Sequence, residues 1–385
     1  MHPTPKLPVL DWASFTGPKA ATTPCLLDHI AISFTQSGRA AILLALEALK
    51  IGPGDKVLVP VYHCPTMVAP IVALGAEPVF YPIDDTGAPM LPWLQQHLCT
   101  DVRVILVAHF FGLPQPLDHI RKWCDQHSVR LIEDCAHALF GISGDRAVGQ
   151  WGDLAIASLT KFLPVLDGGC LVNHLAQAAP PQLQAPNMKS QAKAAFDIIH
   201  TSVNFGRLAV LAPFIQGANW LRKLLKPQAK PLEPAPPVDA PSGEGFTIDV
   251  ARSHMALTQA SIWIARHAHR QRNVDGRRAN YQLFAQAFAG VPGMHPLLPH
   301  LPDQCAPYVF PLWVDQPDPG YAELRRVEYP VSRWDWLWPT VPSIENDQGK
   351  LWSHHVLQLA CHQDLTPAEL QRMVAKLKQV YAQRA

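Results

Sequence analysis

Three absences narrow this chain before any motif is read. Charge of one sign is missing: 32 Lys and Arg stand against 31 Asp and Glu over 385 residues, a net charge of +1, so no long-range field draws the chain to nucleic acid. Paired cysteines are missing. Cys25, Cys64, Cys99, Cys124, Cys135, Cys170, Cys305 and Cys361 lie scattered with no C-x-x-C spacing, which argues against a zinc site or a disulfide framework and suits buried thiols of a reducing compartment. Long apolar runs are missing too. No stretch reaches the roughly 18 apolar residues of a membrane span, and the opening MHPTPKLPVLDW holds no secretion signal, so the expected location is the cytoplasm.

What is present reads as a folded enzyme. The hydrophobic fraction is 48% against 16% charged, and the length suits two domains of unequal size. Phe34 to Lys50, FTQSGRAAILLALEALK, reads as a Ser-Gly-Arg turn opening a helix closed by Gly52-Pro53-Gly54, with free N–H groups at the positive end of the dipole. Strand, helix and strand follow at 56–60, 66–74 and 78–82. Asp101 to Phe110 is a continuous apolar run, as in a strand covered on both faces, and ends in HFFG. A helix at 117–127 and strands at 129–133, 153–159 and 169–173 complete a mostly parallel, doubly wound sheet of the seven-stranded type with helices on both faces. Ligands of such sheets sit beyond the carboxyl ends of the strands.

The remainder predicts a large domain over 1–245 and a smaller α+β domain over 246–385. Gln182 to Leu225 has a helical pattern, broken at Pro213 and Gly217, and Lys226 to Glu244 is rich in Pro and Ala, as in a linker. Together 182–244 read as an insertion. Core or interface packing is the simpler reading of Leu208 to Leu225; an amphipathic membrane-surface helix is the other, because Trp220, Arg222 and Lys223 gather at one end. Beyond it the pattern predicts one long helix over 248–288, strands near 308–314, 325–330 and 356–361, and a terminal helix from Pro367, capped by Thr366.

Two charges organise the chemistry. Asp134 ends one apolar strand and Lys161 follows another, within LIEDCAHALFG and GDLAIASLTKFLPVLDGG. Singly each reads as a strand-end charge. Together they offer an amine and an anion at one end of a sheet, the pair with which a protein holds pyridoxal 5′-phosphate (PLP) as an electron sink. Ser37, Gly38 and Arg39 supply a phosphate-binding helix start, Ser158 a hydroxyl for the phosphate, and Gly168-Gly169 room for close approach. His137 is placed to reach the phenolic oxygen or to stand as a structural histidine.

The ordered blocks SGRAAILLALEALKIGPGDKVLVP, GAEPVFYPID, HFFGLP, LIEDCAHALFG, GDLAIASLTKFLPVLDGG and HQDLTPAELQRMVAKLK resemble the DegT/StrS group of fold type I aminotransferases over nearly the whole chain. The resemblance implies homodimers that use PLP to move an amino group from glutamate or glutamine to a keto-sugar, commonly nucleotide-linked, in surface polysaccharide or secondary metabolite biosynthesis. It assigns Lys161 as the lysine that carries the cofactor, Asp134 as the partner of the ring nitrogen, Gly38 and Arg39 as the phosphate turn and His137 as the neighbour of the phenolic oxygen. The aromatic ring that the family stacks on PLP comes from a segment like Val59 to Thr66, where Tyr62 and His63 are the candidates.

The departures from the family are specific. Its usual serine five residues before the lysine is Ile156 here, whereas Ser158 fits the more general Ser-x-x-Lys. The stretch GFTIDVAR replaces the Asn-Tyr-Arg-Met motif, which leaves the acceptor open between a keto-sugar and a non-sugar carbonyl or amino acid substrate. Lysine at 161, where the dehydratase branch has histidine, argues against dehydration. The rival from another class is a PLP-binding regulatory protein without turnover.

Overall fold

The computed structural model describes residues 2–17, 23–175, 179–225 and 245–382; the linker expected over 226–244 lies outside them. The first half builds a seven-stranded sheet. In chain order its elements are β1 (Ile32–Thr35), α1 (Gly38–Ala48), β2 (Lys56–Pro60), α2 (Pro65–Ala73), β3 (Glu77–Tyr81), α3 (Leu91–His97), β4 (Val102–Ala108), α4 (Asp118–His127) and β5 (Arg130–Asp134). A small hairpin, β6 (Ile142–Ser143) and β7 (Arg146–Ala147), precedes β8 (Leu154–Ser158) and β9 (Gly169–Asn173).

The sheet order is β1-β9-β8-β5-β4-β2-β3. Strands β8, β5, β4, β2 and β3 pair in parallel, and β9 runs antiparallel to both β1 and β8. The mostly parallel, seven-stranded expectation is therefore met. Alternation along β8 shows that both faces are covered: Leu154 and Ile156 enter one core with the side chains of α1, α2 and α4, while Ala155 and Ala157 enter a second with Phe140, Leu257 and Ile264. A strand buried on both faces must be apolar at every position, as β4 (VRVILVA) nearly is.

The second half holds α5 (Met188–Asn204), α6 (Ala212–Leu225), α7 (Val250–Ser253), α8 (Gln259–His267) and α9 (Arg270–Phe288), then β10 (Met294–Pro296), β11 (Val309–Val314), α10 (Gly320–Arg326), β12 (Val331–Ser332), α11 (Gly349–His355), β13 (Val356–Ala360) and α12 (Pro367–Ala382). Strands β10-β11-β13-β12 form an antiparallel sheet whose core begins at Tyr281 and Phe284. Leu257, Ile264 and Ala268, by contrast, pack in the core of the large sheet.

Helix α1 starts at Gly38 behind the Ser37 cap, as the Ser-Gly-Arg turn implied, and Phe34 before it lies in β1, a short edge strand. Two sequence expectations are corrected. The single helix over 248–288 is three: the backbone between α7 and α8 is drawn into bridges, Ala256 with Thr35 and Met255 with Gln184, and His269 caps α9 by accepting from the Arg272 amide. The strand over 325–330 is instead the end of α10 and a turn with Glu328 at φ 50°, the strand following at Val331. Thr366 does cap α12, its hydroxyl accepting from the Glu369 amide at 3.2 Å while Glu369 accepts from the Thr366 amide at 2.7 Å, a reciprocal capping box.

All eight cysteines are free thiols, six of them buried. Among the described residues no single helix is long and apolar enough to cross a membrane.

Candidate active site

A cavity of about 380 Å³ opens at the carboxyl ends of the parallel strands. The chain returns to this edge after each strand, so β4, β5 and β8 deliver His109, Asp134 and Ser158 to it, with Lys161 one turn beyond β8. Asp134 and Ile156 are register partners on β5 and β8, which is why residues so separated in sequence face one space.

The Lys161 amine lies 5.3 Å from the centre of the Tyr308 ring. Burial lowers its pKa, and the nearby Cys64 and Asp134 oppose that shift. Asp134 is buried at the cavity wall, one carboxyl oxygen accepting from the Ala136 amide at 2.7 Å. Burial raises its pKa, with the Ala136 amide and the Lys161 charge pulling the other way. His137 accepts at Nδ1 from the Phe111 amide at 3.3 Å, which leaves Nε2 to carry the proton. Burial first, and Lys161 second, drive its pKa well below the ordinary histidine value, so the ring is neutral.

Helix α1 opens on the same cavity. The Ser37 hydroxyl caps it by accepting from the Ala40 amide at 3.1 Å, so the positive end of the helix points into the space lined by Gly38, Arg39 and Ser158. Glycine is required next to it for a different reason from the one the sequence suggested. A Cβ on Gly169 would stand 2.4 Å from the Ser37 carbonyl carbon and 2.5 Å from the Gly38 nitrogen; Gly169 admits the start of α1, and its tight contact is with that backbone. The Arg39 guanidinium bonds the Thr247 carbonyl, tying α1 to the segment before α7.

Tyr62 and His63, the expected ring-stacking residues, do not line the cavity. Tyr62 is fully buried, its hydroxyl bonded to Gln358 and its ring among Phe110, Phe111, Trp334 and Trp352. His63 bonds the Pro60 and Val61 carbonyls through Nδ1 and accepts from the Trp338 amide at Nε2; burial pushes its pKa down to about 4. From this segment Cys64, Thr66 and Met67 reach the cavity instead, because Pro65 starts α2 and turns the chain there.

Several functional side chains were missed in the sequence. Trp334, on the loop after β12, lines the cavity with its ring 5.0 Å from His137. The Tyr308 ring lies 4.5 Å from that of His137. The HFFG motif explains how Tyr308 arrives: Phe111 and Gly112 both have positive φ, and the Tyr308 amide bonds the Phe111 carbonyl at 2.7 Å. Asp249, Arg252 and Ser253, within and beside GFTIDVAR, form the far wall. The run of tryptophans at 334–338 was the one available signal.

Behind the site, Glu133 is buried and accepts from His109 Nε2 at 3.0 Å and from the Gly149, Trp151 and Gly152 amides. Cys135 lies beside it. His109 accepts at Nδ1 from the Gln115 amide, so both its nitrogens are committed and the trio is a hydrogen-bonded support.

This arrangement agrees with an independent comparison: residues 26–190 match the model of the DegT/DnrJ/EryC1/StrS aminotransferase family. Over that stretch, somewhat less than half of the chain, the sequence is similar to the family. Among curated proteins, UDP-N-acetyl-3-dehydro-α-D-glucosamine 3-aminotransferase of Acidithiobacillus ferrooxidans is 35% identical over 145 residues, 37% of this chain and 39% of that protein. The chain thus spans about two fifths of the length of that relative. Two solved structures extend the likeness to the fold of almost the whole chain. S. venezuelae DesV in complex with a ketimine intermediate aligns at TM-score 0.61 and 19% identity, covering 92% of this chain and 85% of that one. NtdA of Bacillus subtilis with bound PMP aligns at TM-score 0.61 and 18% identity, covering 92% and 74%. Almost the whole chain thus shares the fold of these two structures, and the segment that matches the family model carries Ser37, Asp134 and Lys161.

Proposed function

We propose that this chain is a PLP-dependent aminotransferase that moves an amino group from glutamate or glutamine to a carbonyl acceptor, a nucleotide-linked keto-sugar being the acceptor that the relative's name favours. One observation carries the reading: a buried lysine amine and a buried carboxylate share a cavity into which a helix start also points. PLP asks for those three features, and the residues present fit it. Lys161 would carry the cofactor, Asp134 would face its ring nitrogen, and Gly38, Arg39 and Ser158 would receive its phosphate. His137 would donate from Nε2 to the phenolic oxygen, and Cys64 and Trp334 would border the ring.

When bound, PLP supplies an electron sink for the carbon that gains or loses the amino group. The chain's own groups do the rest. Burial of Lys161 favours its neutral amine, which is the form able to take a proton from the donor Cα and later return one to the acceptor carbon. Asp134 holds a negative charge at the strand end, where it favours a protonated ring nitrogen. The neutral His137 offers a proton without adding charge beside Lys161. Tyr308 and Trp334 exclude water from the amine. By the symmetry expected of this fold the enzyme is a homodimer, which sedimentation velocity would test, and its expected location is the cytoplasm.

The purified chain reconstituted with PLP should show a long-wavelength absorbance that glutamate or glutamine discharges, and borohydride should fix the label on Lys161. A label on another lysine overturns the assignment. A band that no amino donor discharges favours a PLP-binding regulatory role.

A further inference from the structure

A second cavity, of about 390 Å³, shares no lining residue with the one around Lys161 and lies between the N-terminal segment, the end of α5 and the stretch from α10 to β12. Pro3, Thr4 and Lys6 line it from the N-terminal segment, and Tyr321 and Arg325 from α10. The chain is fixed on both sides of Lys6: His362 donates from Nε2 to the Pro5 carbonyl at 3.0 Å, and the Val9 amide donates to the Asp364 carboxylate at 3.3 Å. Phe205, at the end of α5, is held by the Arg207 guanidinium, which donates to its carbonyl at 3.1 Å and to Glu369 at 2.8 Å. The walls are therefore set by the fold before anything enters.

Charge indicates the kind of occupant. Two cations line this space, Lys6 and Arg325, against one carboxylate, Glu328. The other carboxylates near α10 are taken, Glu323 by Lys376 at 2.8 Å, and Asp318 and Asp335 by Arg333 at 2.7 and 3.1 Å. Among the described residues neither Lys6 nor Arg325 has an ion-pair partner. The two act on each other instead: burial first, and the Arg325 charge second, lower the Lys6 pKa. Lys6 is exposed as a residue, so the crowding is at its ammonium end. Like charges held in one space are unfavourable alone, and an anion that both can bond relieves them.

The remaining groups narrow the anion. The Tyr321 hydroxyl accepts from the Arg333 amide at 3.0 Å, which leaves its own proton to donate, and burial pushes its pKa up to about 12, so the proton stays. An ammonium, a guanidinium and a hydroxyl suit a phosphate, whose three oxygens can accept from all of them. A phosphate alone leaves most of the cavity empty. Tyr329, whose hydroxyl is committed to the Met373 carbonyl at 2.5 Å, lines the wall with Phe205 and Val331. That surface suits an apolar or ring-bearing body attached to the phosphate.

We propose that this cavity binds a phosphorylated small molecule, its phosphate between Lys6 and Arg325 and its body against Phe205, Tyr329 and Val331, and that the ligand clamps the N-terminal segment onto α10. Pyrophosphate is the probe, titrated calorimetrically into the full chain after borohydride has fixed PLP in the Lys161 cavity, so that the phosphate position there is filled. A chain that takes up no PLP is titrated as purified, and loss of binding in the variants then locates the probe, which keeps this test separate from the aminotransferase reading. Saturable binding is expected, weakened at least about tenfold by Lys6→Ala and by Arg325→Ala and strengthened by Glu328→Gln, which removes the one opposing charge. Circular dichroism should be unchanged, and Lys6→Ala decides the matter if Arg325→Ala fails to fold, since Lys6 is exposed. In the wild type, pyrophosphate should slow tryptic cleavage after Lys6 several-fold. No saturable binding by the wild type, full affinity in either folded alanine variant, or weaker binding by Glu328→Gln overturns the site; binding that leaves the cleavage rate unchanged overturns the clamp.

Discussion

The Arg277 guanidinium donates from Nη2 to the carbonyl of Lys161 at 2.8 Å. This links α9 to the backbone of the residue that would carry PLP. Arg277 is fully buried and spends its other donors on the Gln363 side chain and on the Pro307 and Tyr308 carbonyls, with its guanidinium 4.5 Å over the Phe162 ring. One side chain therefore fixes both the lysine and the aromatic wall beside it.

Arg277→Met should lower stability by about 3 kcal/mol or more, because it leaves several buried carbonyls without donors. Urea unfolding measures this. The variant should also capture PLP more slowly, as the Lys161 backbone loses its tether; an unaltered midpoint and capture rate would show that Arg277 is dispensable.

The pH dependence of Lys161 follows from its surroundings. Its folded pKa lies below the unfolded value of about 10.4, so protonation opposes folding and stability rises with pH between the two values. The rate at which apoprotein forms a borohydride-reducible PLP adduct at Lys161 should rise with a midpoint under that unfolded value. Asp134→Asn should move the midpoint lower still, since the Asp134 charge is one of the influences that raises it.

Burial by itself would raise Glu133, but the His109 bond and the Gly149 and Trp151 amides outweigh it and hold the carboxyl below its ordinary value. Its stabilisation is complete above the unfolded pKa of about 4.3 and is lost as pH falls through the lower folded value. Glu133→Gln puts an amide donor against backbone N–H groups and should cost about 2 kcal/mol or more at neutral pH. Thermal unfolding across pH 3 to 7, on the order of the ordinary carboxylate range and above, should show a flatter acid limb for the variant.

Gly169→Ala forces a Cβ to within 2.4 Å of the Ser37 backbone, and backbone cannot swing aside as a side-chain tip can. A loss of about 1–3 kcal/mol is expected, together with weaker retention of PLP through a displaced α1. Dialysis of the reconstituted protein followed by absorbance would register the second effect.

Periodicity served well where one neighbour decides conformation. The strands at 56–60 and 169–173, the start of α1 at Gly38 and the Thr366 cap stand where local pattern put them. It served poorly between Thr247 and His269, where the helical pattern was interrupted by bridges to Thr35 and Gln184, residues far away in the chain. The family resemblance had pointed to Tyr62 and His63, although packing turned both into the core and left Cys64 at the cavity.

By itself the sequence determined the alternation of strands and helices, the mostly parallel sheet, and the delivery of Asp134 and Lys161 to strand ends, because those depend on short-range apolar spacing and on turn residues. Tertiary structure alone decided that Tyr308, Trp334 and Arg277 attend Lys161, that Glu133 and His109 support Asp134 from behind, and that Lys6 and Arg325 line one cavity. Those relations join segments many residues apart, and which side chain is buried or exposed there is set by the neighbour across the fold, which no local spacing encodes.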